Sequence, residues 1–234
     1  MTINQIVRPR LANRMDSRTA TSRRWLTVPG IAGIGYTLSW IAGLSVPAPS
    51  PRFNATGAEV VATLTGHHAA AALQFALTEG LPAAGIAVIS VLLARRAGAA
   101  HTTLAAVRAG RVALAAGAAA AVISLLQFIA GLALIATTAP GTAHLLYGAV
   151  NRMDGVKMLT LAVLGAAGAA ATVLPRWLRY TGIALAVSIT ASGVVYLLLL
   201  PSLAVLAGAA LVLLLVFITG AGLVLGKSPA GGDR

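Results

Sequence analysis

The chain has 234 residues, 58% of them hydrophobic and 9% charged, with a mean hydropathy of +0.89; soluble domains carry about 25% charged residues, so a water-soluble core is excluded. The net charge of +12 does not point to nucleic acid, because the basic residues flank apolar spans. The chain contains no cysteine, which removes disulfides, thiolate metal sites and iron–sulfur clusters from consideration.

Residues 1–24 hold Arg8, Arg10, Arg14, Arg18, Arg23 and Arg24 against Asp16, without apolar periodicity. This is the pattern of a disordered basic cytoplasmic tail that rests on anionic lipid. Ser22-Arg23-Arg24-Trp25-Leu26 resembles a twin-arginine export signal, but the apolar stretch that follows exceeds the roughly 7–15 residues of a signal segment. The first predicted span, 25–46, carries Gly30, Gly33, Gly35 and Gly43 as a packing face. A proline-rich loop follows, and Thr56 and Glu59 have the spacing of a capping box that starts a helix continuing into the second span, 68–94.

A basic connector with Arg95, Arg96, His101, Arg108 and Arg111 leads to the third span, 112–136. Residues 137–157 read as a loop with a short interfacial helix. The fourth span, 158–174, ends at an interface marked by Arg176, Trp177, Arg179 and Tyr180. The fifth, 181–200, is separated by Pro201-Ser202 from the sixth, 203–225, and a polar tail, 227–234, closes the chain. The predicted fold is therefore all-α: one transmembrane domain over 25–226 with six helices in one bundle.

With the N-terminus cytoplasmic, the inner segments hold 14 Lys and Arg residues and the outer loops only Arg52, Arg152 and Lys157. That asymmetry predicts a multi-pass cell-membrane protein with both termini cytoplasmic. Short matches between residues 30–50 and 182–202 are near chance for so biased a composition. Ala221 to Ser228 fits a relaxed phosphate-loop pattern, yet no strand precedes it and it ends an apolar span, so it is read as an interface with Lys227 as anchor.

The focal residue is Glu79, an acid well inside the second span and three residues before Pro82. An ionisable group at membrane depth marks a functional site by default. Pro82 has no N–H to bond the Thr78 carbonyl, which predicts a kink beside the acid. Gln74 lies on a stripe next to Glu79, and Gln127 falls at the same depth when counted along the third span. Tyr36, Ser192 and Tyr196 are expected to converge there from the first and fifth spans. The bland role for Glu79 is a neutral carboxyl bonded to Gln127 or a tyrosine that only joins helices. His67, His68 and His144 are weak metal candidates without a recognised ligand spacing, and Asp154 and Lys157, three apart, are expected to pair with each other.

The functional expectation is a protein that binds a small solute or a proton around Glu79, with translocation as an extension of that binding. The alternatives are a membrane-embedded enzyme acting on a lipidic or isoprenoid-like substrate, with Glu79 as general acid or base, and an accessory subunit of a larger complex. No metal or cofactor is expected. Expected partners are membrane lipid, a small molecule or proton, and further protein subunits of the same or another kind.

Overall fold

The computed structural model describes residues 27–100, 103–200 and 206–227. The basic tail, the export-like motif, the Pro201-Ser202 break and the last seven residues lie outside them. Among the described residues the chain forms α1 (Val28–Ser45), a short α2 (Gly57–Leu64), α3 (His68–Ala99), α4 (Leu104–Ala136), α5 (Pro140–Ala170), α6 (Arg176–Leu197) and α7 (Leu206–Leu225), with no strand. Five of these, α3 to α7, are long and apolar enough to cross a membrane. The remaining long helix, α1, has 18 residues and carries four glycines.

The helix starts follow local chemistry. Thr56 accepts from the Glu59 amide at 3.3 Å while the Glu59 carboxylate accepts from the Thr56 amide at 2.7 Å, which closes the expected capping box. The Thr56 hydroxyl also donates to the Glu59 carboxylate at 2.9 Å, and the two bonds from Thr56, amide and hydroxyl, hold the Glu59 carboxyl below its ordinary range. The helix so started does not run on into the second span. It stops at Leu64, and Gly66, at φ +80°, turns the chain before α3 begins at His68. Thr103 caps α4, accepting from the Ala106 amide at 3.1 Å. Pro140 opens α5 in the first turn, where its missing N–H costs nothing.

The largest departure from expectation is α5. The loop expected at 137–157 is helical from Pro140, so the fourth span begins well before 158. Asn151, Arg152, Asp154 and Lys157 lower its hydropathy, but Asn151 bonds back to the Tyr147 carbonyl and Lys157 is buried against carboxylates, so the segment need not face water.

Six helices close into a ring: α3 packs on α4, α4 on α5, α5 on α6, α6 on α7, α7 on α1, and α1 on α3. Small residues set the closest approaches. A Cβ on Gly165 would stand 2.8 Å from the Gly182 carbonyl oxygen, and one on Gly182 would stand 2.7 Å from that of Gly165, so α5 and α6 meet backbone to backbone. Gly33 and Gly222 do the same between α1 and α7. The outward faces carry exposed Ile31, Leu38, Leu125, Ile129, Val187 and Val212, which suits hydrocarbon and not water.

At one end of the ring a second apolar cluster of Ala55, Val60, Leu64, Ala71, Leu134, Ile135 and Ala143 caps the bundle. Tyr147 pins the preceding loop to α5 by donating to the Pro51 and Arg52 carbonyls at 3.0 and 3.2 Å.

Candidate functional site

Inside α3, residues Ala76–Gly80 form one π turn, in which the Leu81 amide reaches back five residues to the Ala76 carbonyl. Where the sequence predicts a simple proline kink, the helix takes up one extra residue just before Pro82. Since Pro82 offers no N–H to Thr78, this turn loses the bond that would hold it in α register. The extra residue also rotates the face by about 100°, so His68, Glu79 and Ser90, which their eleven-residue spacing would align on a regular helix, no longer share one line. Ser90 turns instead to the Ile86 carbonyl.

The π turn aims Glu79 at the axis of the ring, where it is 7% exposed. Lys157 of α5, 5% exposed, donates to Glu79 Oε1 and Oε2 at 2.7 and 2.8 Å. The same ammonium lies 2.7 Å from Asp154 Oδ1, one turn earlier on α5. The expected pairing of Asp154 with Lys157 is present, and Glu79 joins it. Ser124 of α4 donates to Glu79 Oε2 at 2.9 Å.

Gln127 takes a different role from the expected bond to Glu79. One turn along α4 from Ser124, its Nε2 donates to the Val150 carbonyl at 3.2 Å and to Asp154 Oδ1 at 3.4 Å, while its buried Oε1 has no donor.

Of these groups Ser124, Asp154 and Lys157 border a cavity of about 240 Å³ in the ring, and Glu79 reaches it through its bonds to Lys157 and Ser124. Every long helix contributes to its wall: Tyr36 and Trp40 from α1, Pro82 and Ile86 from α3, Ser124 from α4, Asp154 and Lys157 from α5, Tyr196 from α6 and Leu214 from α7. The wall is mostly apolar and its charges sit together on α5. Counting along α3, Glu79 stands about 16 Å from His68 and about 24 Å from Arg95, which places the cluster toward the capped end.

Tyr36 is buried and Tyr196 sets its ring edge-on to Phe53 at 5.0 Å, both on the cavity wall. Gln74 is half-buried and off that wall. Ser192 is buried but donates to the Ser188 carbonyl of its own helix. His67, His68 and His144 are exposed, and no group of three His, Cys, Asp or Glu residues able to hold a metal ion occurs among the described residues.

Lys157 is the residue that sequence reasoning assigned only to a local pair. The available signal was the Asp154 to Lys157 spacing, which puts two opposite charges on one helix face, followed at once by an apolar run. Compared with family models, curated proteins and solved structures, the chain matches none, so the site stands on its geometry and chemistry alone.

Proposed function

We propose that this chain is a multi-pass membrane protein of six spans, α1 included, with cytoplasmic termini, and that the Glu79, Lys157 and Asp154 cluster is its ligand site. The ligand is a small solute or a proton, and passage across the bilayer is the process the site serves. The single observation that carries the reading is a buried lysine shared by two carboxylates, with the lysine and Asp154 on the wall of a cavity between the helices. Buried charge of this kind is expensive and is weak support for stability alone. In membrane-spanning segments it marks ion or substrate pathways. Basic residues at Arg95, Arg96, Arg108, Arg111, Arg176 and Arg179 favour the orientation, since α3, α4, α5 and α6 all turn there. The shift of Lys157 and Arg152 from a loop into α5 strengthens the bias, leaving Arg52 as the basic residue of the outer connections.

An apolar carbodiimide, which modifies carboxyls only in their protonated form, tests the site in reconstituted vesicles across a pH series, with the adduct located by mass spectrometry. A pH-dependent adduct on Glu79 or Asp154 is expected, lost from whichever position is changed to the amide. A folded wild-type protein that yields no adduct at any pH would overturn the reading.

One observation favours a second reading, an enzyme acting on a lipidic substrate: the wall is mostly apolar and Glu79 lies within hydrogen-bond reach of a second proton-bearing group, Lys157. Incubation with a polar lipid extract separates the two, since only an enzyme yields a product that Glu79→Gln abolishes.

A further inference from the structure

Ionised Glu79 and Asp154 face one ammonium, so the three groups together carry one negative charge. Lys157 donates to Glu79 Oε1 and Oε2 and lies 2.7 Å from Asp154 Oδ1, so its ammonium is already engaged by both carboxylates. Ser124 and Gln127 add donors, yet Gln127 Oε1 remains buried without one. The site is therefore short of positive charge and of donors, and an anion would have to displace a carboxylate to reach Lys157. No other described titratable group on the cavity wall supplies the missing charge: α1 and α6 bring Tyr36 and Tyr196, α4 brings Ser124, and α7 brings only apolar residues and glycine.

The rest of the wall suits the body of such a ligand. Tyr36, Trp40 and Tyr196 are aromatic side chains on the same wall as Asp154, and Ile86, Leu161, Ile189 and Leu214 complete an apolar lining. A cation over an aromatic face gains more when desolvated. A cavity of about 150 Å³ takes benzene, so about 240 Å³ holds on the order of ten non-hydrogen atoms.

We propose that the cavity binds an organic monocation, an ammonium on a compact apolar body, with its charge at Asp154 and its body against Tyr36, Trp40 and Tyr196, and that a proton on the cluster competes with it. This rests on the ligand-site reading above and names the class of ligand.

The test uses full-length protein carrying Trp25→Phe and Trp177→Phe, so that Trp40 remains as the reporter of the three tryptophans. Benzyltrimethylammonium is titrated against Trp40 fluorescence beside its neutral isostere neopentylbenzene and the anion benzenesulfonate. A saturable response to the cation is expected, at least tenfold tighter than to either control, weakening as pH falls, and at least tenfold weaker in Asp154→Asn. A cation affinity less than tenfold above that for the neutral compound or the anion overturns the proposal, and so does a wild-type protein without a cation response or a folded Asp154→Asn protein that binds the cation within tenfold of wild type. The comparison among the three probes keeps the native cluster, so it decides the matter even if Asp154→Asn does not fold. The carbodiimide adduct separates the two failures: if it forms while the cation does not bind, the ligand site stands and the ligand class falls; if neither occurs, both fall.

Discussion

Replacing Lys157 with methionine removes the ammonium while nearly conserving the shape of the side chain. The two carboxyls 2.7 Å from its nitrogen are then left facing each other, and the charge of the ionised cluster goes from −1 to −2. Breaking a buried pair in this way costs about 3–5 kcal/mol. Glu79→Gln works in the opposite direction. It leaves the pair of Lys157 and Asp154 intact and balanced, and Gln can still accept from Ser124 and Lys157, so its cost is that of weakening charge-assisted hydrogen bonds, about 1–3 kcal/mol. Because Lys157→Met has already unpaired Glu79, the double variant should cost less than the sum of the singles by about 1–3 kcal/mol. Replacing all three groups by methionine and leucines should recover most of the loss, since well-packed apolar residues often equal or exceed a buried ionic cluster in stability. Equilibrium unfolding in mixed micelles of increasing dodecyl sulfate content measures each value. The reasoning fails if Lys157→Met is no more costly than Glu79→Gln, or if the two add to within about 0.5 kcal/mol.

Three further outcomes are expected. Gly165→Val should cost about 1–3 kcal/mol by forcing α5 from the Gly182 carbonyl, whereas Gly35→Val, with open space around its Cβ, should stay within about 0.5 kcal/mol in the same unfolding assay. Single cysteines at Ser50 and Thr142 should react with an impermeant maleimide added outside cells and one at Ala100 should not; the reverse pattern would overturn the orientation. The Glu59 carboxyl, held below its ordinary range by Thr56, supports the start of α2 in its ionised form. That support is present above the unfolded carboxyl's range and is lost as pH falls through the lower folded value. Amide exchange over 57–64, corrected for intrinsic rate, should therefore lose protection at acidic pH in wild type and show no such step in Glu59→Gln.

Proline and the acid at 79 were legible together in the sequence because both are exceptional inside an apolar run. The π turn was not: Pro82 predicts a missing bond to Thr78 but leaves open whether the helix bends or takes up an extra residue. Packing is what accompanies the second outcome. Gly43 of α1 lets the π turn sit against it, where a Cβ would come 2.6 Å from Thr78 Cγ2. Glycine spacing in the first span likewise marked a packing face, with Gly30, Gly33 and Gly43 buried, but Gly35 points to open space.

The sequence by itself determined that the chain is helical with stretches long and apolar enough to cross a membrane, because so few charges over such lengths lie outside the usual range of soluble domains. It also determined the capping box at Thr56, which depends on residues three apart. Only the tertiary structure decided the site. Asp154 and Lys157 read as polar residues at a water-facing boundary because hydropathy prices each charge as if it were alone. The partner that lets Lys157 leave water is 78 positions away on another helix, and the cost of burying a charge depends on where its opposite stands in space.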